Sequence, residues 1–312
     1  MNRTALLTTA LMAALLGGTF GCRSAKKDPR ENLLTAPMLL AQADGFLQRG
    51  KWEDARRALR QIEEYLPSTP EYPAAKLKLA DSFFFQSSTH YPEAIVEYQS
   101  FLNYFPRHER RDYALYRLAL CHYAAIESAE RDQAETRRAL DAFQNLIRET
   151  PGSPYVVDAR AKVTQCWRRL AEHELVVGIH YVSVYHFAGA ERRLKELMET
   201  YPDHVDRERA YYFLGEALRR KQLTLESAEQ FQKGWLARKE KDDLSSLSRE
   251  EFQDLRKEMD AFRKEEETKY RAEARSFFER LVESYPASEW AGRARDRLIE
   301  MGQSNVKEEL DS

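Results

Sequence analysis

Residues 91–106 read YPEAIVEYQSFLNYFP, and the spacing inside this stretch decides the fold. Ala94 stands twelve residues before Pro106, and the same pair recurs as Ala55/Pro67, Ala139/Pro151, Ala190/Pro202 and Ala274/Pro286. Four residues after each Ala comes a large apolar side chain: Leu59, Tyr98, Phe143, Leu194 and Phe278. Seven after it comes another: Ile62, Phe101, Leu146, Leu197 and Leu281. Positions 0, +4 and +7 share one helical face, so each copy is an amphipathic helix. The Pro cannot continue the helix and marks its end. Five copies in one register make this a repeat protein.

Each copy is preceded by a second apolar segment. The first unit, 36–67, has Leu40, Ala43 and Phe46 on one helix, Gly50-Lys51-Trp52 as the turn, and a second helix from Ala55 to Tyr65. Gly, a following aromatic, Ala, a large residue at +4 and a late Pro make the tetratricopeptide (TPR) pattern. The second unit, 73–106, places KLKLADSFFF before a short QSSTH turn. The third, 112–151, opens on DYALYRLALCHYAA, with ESAERDQAETRR as a long connection. Residues 154–184 contain no breaker and read as one long helix, with Gly178 as the small residue of its second half. The fifth unit begins RERAYYFLGEALRR, where Leu214, Gly215 and Leu218 fit the first TPR helix. Its Ala-to-Pro helix arrives only at 274–286, so the interval from Pro202 to Pro286 holds an insertion.

The insertion, 222–270, is dense in both charge signs, often paired at i,i+4. Ser248 followed by Glu251 resembles a capping box and starts a helix expected over 249–285. Phe252, Leu255, Met259 and Phe262 give that helix an apolar stripe, against which residues 226–236 fold back. The expected fold class is therefore all-α: a helical-hairpin solenoid of about five TPR-type repeats with a charged helical insertion in the fifth. Repeats and the first helix of unit five occupy 35–221. The second helix of unit five and a closing helix occupy 271–301, and 302–312 form a polar tail.

The N-terminal residues, MNRTALLTTALMAALLGGTFGC, have the form of an export signal: Arg3, an apolar run from Ala5 to Leu16, then small residues before Cys22. The run is too short to span a bilayer, which needs about 20 apolar residues. Cleavage after Gly21 would leave Cys22 as the first residue, in the manner of a bacterial lipobox, although Thr19 stands where Leu is usual. The alternative is an ordinary cleaved signal with an incidental Cys. We expect residues 1–21 to be a signal peptide. Residues 22–34 would be a lipid-bearing N-terminus and tether, with the lipid on Cys22 anchoring the chain to a membrane.

The 312 residues carry 49 Lys and Arg against 51 Asp and Glu, a balance with no basic footprint for nucleic acid. The seven His lack metal-ligand spacing, and no phosphate loop, GxSxG or HExxH occurs. No catalytic constellation is present, so no enzyme activity, resident metal or cofactor is expected beyond the lipid. Cys121 and Cys166 read as small buried hydrophobes, with a disulfide between them as the alternative. Binding is the natural use of stacked hairpins, whose first helices line a groove. In units two and three that lining should include Asp81, Phe84, Phe85, Tyr116 and Tyr123, since aromatic anchors dominate interfaces. Phe84 and Phe85 are adjacent and cannot both face the same way. The helix at 91–106 is scaffold, and binding belongs to the helix before it and to the first helix of the next unit.

Three longer stretches carry a family resemblance: YPEAIVEYQSFLNYFPRHERRDYALYRLALCHY, RALDAFQNLIRETPGSPYVVDARAKV and RLAEHELVVGIHYVSVYHFAGAERRLKELMETYPDH. Together they resemble the BamD family, TPR lipoproteins of the bacterial outer-membrane β-barrel assembly machinery, over about 30–220 and again 270–300. The resemblance implies a lipid-anchored protein on the periplasmic face of the outer membrane. Its expected partners are the periplasmic domains of the β-barrel insertase, other machinery components and unfolded outer-membrane protein segments. The groove of the first three units would receive those segments, and the C-terminal units would hold the machinery. The other reading is a TPR lipoprotein scaffold for a pilus-assembly or peptidoglycan-linked complex.

Overall fold

The computed structural model describes residues 34–310, with side chains described through residue 302. The signal peptide, Cys22 and all but the last residue of the tether lie outside the described residues. Twelve α-helices and two short 3-10 turns follow one another among the described residues, with no strand. The chain divides into two compact units between Ala75 and Lys76.

In the first unit, α1 (Ala36–Gln48) and α2 (Trp52–Tyr65) pack as a hairpin. The buried leucine of α1 is Leu39, while the expected Leu40 is half-buried. Ala55, Ala58, Leu59 and Ile62 form the buried face of α2.

The division falls within α3 (Tyr72–Gln86), most of which lies in the second unit with a 3-10 turn (Ser88–His90), α4 (Tyr91–Tyr104), α5 (Arg111–Ala124) and α6 (Ala134–Glu149). Then come α7 (Val156–Ser183), α8 (Phe187–Thr200), α9 (Arg207–Arg220), α10 (Leu225–Arg238), α11 (Arg249–Ser284) and α12 (Glu289–Leu310). Each of α5 to α8 packs on the next, and α9 packs chiefly on α11 rather than on α10. These are tetratricopeptide-type hairpins in series.

The register read from the sequence is the core. All fifteen residues at the 0, +4 and +7 positions of the five repeats are exposed by 1% or less. The five helices that carry them all end two residues before their Pro, because Pro disfavours the helical conformation in the residue before it. At every one of these ends the residue before the Pro donates its N–H to the carbonyl of the +7 residue. Phe105 to Phe101 and Tyr285 to Leu281 are two such bonds. The same side chain position thus closes the core and the helix end.

Small residues sit where hairpin helices cross. A Cβ on Gly178 would lie 2.5 Å from Leu194, and one on Gly215 would lie 2.5 Å from Phe278. No real Cβ tolerates such a contact, so the approach of α7 to α8 and of α9 to α11 requires glycine there.

Two boundaries and one buried face differ from those expected. The connection before α6 ends at Gln133, so the residues Ala134 to Arg138 are helical. Asp132 accepts from the N–H of Ala134 at 2.8 Å, and the side-chain amide of buried Gln133 donates to the carbonyls of Ser128 and Arg131, both at 2.9 Å. The closing helix α12 runs on through Leu310, across the stretch expected to be tail. Within α11, Leu255 is buried but Phe252 is 51% exposed, so the apolar stripe is only partly covered. Trp235, Leu236 and Leu255 form a small cluster with Phe231 and Leu247, and Phe231 stacks on Phe262 at 4.7 Å. Ser248 and Glu251 form the reciprocal capping box that starts α11.

Candidate functional site

The first helices of units two, three and four present one connected strip of aromatic and charged side chains. On α3, Asp81 accepts hydrogen bonds at Oδ1 from the hydroxyls of Tyr98 (2.6 Å) and Tyr113 (2.9 Å). Burial pushes the Asp81 carboxyl above the usual carboxylate range, against the opposite pull of the two hydroxyls. The same desolvation pushes Tyr113 up to about 12 and Tyr98 higher still. Asp81 is therefore a structural acceptor that joins α3, α4 and α5.

One turn along α3, Phe84 is half-buried between Tyr91 and Tyr98, while Phe85 is 51% exposed. The two rings leave the helix in different directions, as adjacency requires, yet both meet the same partner. The guanidinium of Arg117 lies 4.8 Å from the Phe84 centroid, 4.7 Å from that of Phe85 and 5.0 Å from that of Tyr113. A planar cation fits three ring faces in this way because its charge is attracted to each quadrupole.

Tyr113, Tyr116, Arg117 and Tyr123 recur on α5 at helical spacing and hand the strip to α7. Tyr113 lies 6.1 Å from Tyr155, and Tyr116 stacks on Tyr155 at 4.6 Å with planes 13° apart. The Tyr116 hydroxyl donates to Asp158 at 2.8 Å, and burial pushes it up to about 12. Farther on, Tyr123 hydrogen-bonds Gln165, and the ammonium of Lys162 sits 4.3 Å from its ring centroid.

The five residues singled out from sequence thus fall into two neighbouring groups. Asp81, Phe84 and Phe85 gather around Tyr113 and Arg117, while Tyr116 and Tyr123 face α7. Sequence reasoning missed Arg117, Tyr113, Tyr155 and Lys162. Tyr113 was open to the same helical count that picked Tyr116 and Tyr123, whereas Arg117 had no spacing signal of its own. Tyr155 precedes α7 and had no register of its own.

Chemically the strip offers ring faces and cations but no reacting pair. Among the described residues no group of three or more His, Cys, Asp or Glu side chains is placed to hold a metal ion. Cys121 and Cys166 are separate buried thiols. Burial pushes them up to about 12 and about 11, which removes thiolate character at neutral pH. A hollow of about 1100 Å³ lies instead against the second helices, between α4 and α6, with Ile95, Leu118 and the His122–Glu135 pair on its walls. No helix among the described residues is long and apolar enough to cross a membrane.

A BamD outer membrane protein assembly factor from Caulobacter vibrioides is 28% identical over 218 residues, covering 69% of this chain and 70% of that one. Another, from Rickettsia prowazekii, is 29% identical over 219 residues, covering 70% of this chain and 84% of its own. A solved tetratricopeptide repeat protein from Parabacteroides merdae aligns over 85% of this chain and 98% of that one. It is 16% identical with a TM-score of 0.32, too loose a superposition to add to the fold seen directly. The model of the YfiO family, described as outer membrane lipoprotein, matches residues 35–233, from the start of α1 into α10. The chain belongs to the YfiO family of outer membrane lipoproteins.

Proposed function

We propose that this chain is a non-catalytic component of outer-membrane protein assembly and that the α3–α5–α7 strip binds unfolded segments of barrel precursors. The observation that carries the reading is Arg117 packed among Phe84, Phe85 and Tyr113, with Phe85 left half-exposed. Aromatic rings and arginine are the side chains from which binding hot spots are built. An extended, aromatic-rich segment can stack on them without a fixed sequence. Family membership and the BamD relatives support the assembly role.

In this reading a lipid on Cys22 holds the chain at the periplasmic face of the outer membrane. The insertase's periplasmic domains and other machinery components dock on the later repeats.

A photoreactive side chain at position 85 in cells tests the strip: crosslinks to barrel precursors are expected, with fewer when Arg117 is replaced by Ala. Depleting the protein should lower the level of assembled β-barrels. Normal barrel levels together with crosslinks to pilus or cell-wall proteins would replace this reading with the scaffold one. Labelling with a radioactive fatty acid that is lost in Cys22→Ser checks the anchor.

A further inference from the structure

In two of the repeats the turn between the helices has a demanding slot, five residues before the register Ala. In the first repeat that slot is Gly50, with φ +67°. In the fourth it is Tyr185, with φ 62°, one of two described non-glycine residues at positive φ. A tyrosine resists this conformation, because its Cβ crowds the backbone where glycine has none. The bond from the His186 N–H to the Tyr181 carbonyl closes this turn, and Tyr185 is 75% exposed with its ring against the edge of Phe187. A strained backbone beneath a ring left mostly in solvent points to a contact outside the chain.

What surrounds Tyr185 gives the chemistry of that contact. It stands between two hollows of about 390 and 440 Å³, and Arg220 lines both. The first also has Arg293 and Arg297 on its wall, with Tyr212 and Phe213 giving it an apolar side. A single carboxylate, Glu216, lies in that hollow and is 2% exposed. Glu216 is already engaged by Arg219 at 3.1 Å and by Arg297 at 2.9 Å, as well as by Arg220 at 2.7 Å. Arg297 also holds Glu300, at 2.8 and 2.9 Å, outside the hollow, so the wall of the hollow itself sets three guanidinium groups against one carboxylate. Arg293 pairs with the exposed Glu289 at 2.7 Å and lies 4.5 Å from the Trp290 ring centroid, and its side chain is half-exposed. Planar guanidinium groups recognise carboxylates by paired hydrogen bonds, and the neighbouring rings favour side chains with apolar bulk over a bare anion.

We propose that Tyr185 and the Arg220/Arg293/Arg297 cluster form a docking surface for an acidic segment of a partner protein. Its carboxylates enter the first hollow, and its chain crosses the Tyr185 ring into the second. Arg293 and Arg297 lie on α12, beyond the 35–233 span that matches the family model, so this surface is completed by helices outside that span. It shares no residue with the α3–α5–α7 strip.

Fluorescence anisotropy on the full chain tests this with a labelled ten-residue peptide of alternating Glu and Leu. The Lys/Leu counterpart and phosphatidylglycerol vesicles serve as the other probes. The Glu peptide should bind and the Lys peptide should not. Arg293→Gln and Tyr185→Gly should each raise its Kd by about tenfold, a hot-spot effect. Phe85→Ala should leave it unchanged. Tyr185→Gly should not lower the melting temperature, since glycine suits the slot, which separates lost binding from lost folding. Equal affinity of both variants and the parent, or binding of the vesicles without the Glu peptide, would overturn the proposal.

Discussion

The second and fifth repeats obey one packing rule through very different connections. In the second, three residues of 3-10 turn join α3 to α4, and Ala94, Tyr98 and Phe101 close the core. In the fifth, α9 waits through α10 and about two thirds of α11 before Ala274, Phe278 and Leu281 take the same positions. All six side chains are fully buried. The lesson is that side-chain register, not connection length, specifies the hairpin, because loop closure costs grow only slowly with length. The detour obeys a looser rule. With a single neighbour to pack on, its stripe buries Leu255 and leaves Phe252 half-exposed.

The sharpest way to break this comparison is to hollow each region. Phe278→Ala should cost about 3–5 kcal/mol in urea denaturation, since a fully buried ring leaves a cavity against Gly215. Phe262→Ala, which removes only the stack on Phe231, should cost about 1 kcal/mol. Similar costs at the two sites would mean that the insertion is as integral as the repeat.

Buried carboxylates sharpen the contrast further, because the two repeats treat them in opposite ways. Arg219, Arg220 and Arg297 overcome the desolvation of Glu216 and hold it below the usual carboxylate range. Its stabilisation is complete above the ordinary value of 4.5 and is lost as pH falls through the depressed folded value. Glu216→Gln should therefore cost about 3 kcal/mol at pH 7, the scale of breaking a buried pair. The deficit should shrink in denaturation series run below pH 4.5.

Within the detour, Ser248→Ala removes the capping box and should cost about 1 kcal/mol locally. Hydrogen exchange should show the first turn of α11 opening while the amides around Phe278 keep their protection.

The smallest effect is expected in the second repeat. Asp81 has a raised folded value, so its charge opposes folding near neutrality, and the parent gains stability as pH falls through that value. Asn keeps an oxygen acceptor for Tyr98 and Tyr113. Asp81→Asn should thus stay within about 0.5 kcal/mol of the parent at pH 7 or exceed it. A larger loss would mean that the Asp81 charge is needed to hold Arg117.

The repeat architecture was legible because Ala, a large residue and Pro recur at intervals set by helix geometry, and those intervals survive any change of side-chain neighbour. The long helix α7 was legible from a stretch without a breaker, and the start of α11 from the Ser248 and Glu251 capping box. Arg117 was not. A single arginine in an amphipathic helix has no spacing signature, and only the fold brings it over Phe84 and Phe85 from another helix. Tyr185 was half-legible: its slot can be counted from Ala190, but the positive φ is visible only in the backbone. The run of α12 past residue 301 also escaped, since polar residues suit a solvated helix and a tail equally well.

One consequence of the fifth repeat concerns time rather than stability. Gly215 meets Phe278 across 63 residues of chain, whereas Gly178 meets Leu194 across 16. During synthesis the first four hairpins can close soon after their second helix emerges. The apolar face of α9, with Tyr212, Leu214 and Leu218, stays uncovered until a further two turns or more of α11 have followed residue 270. These high-contact-order pairings of α9, with α11 and with α12, make the fifth repeat the slowest to form and the stretch most open to chaperone capture. The protein is finished from its C-terminal end.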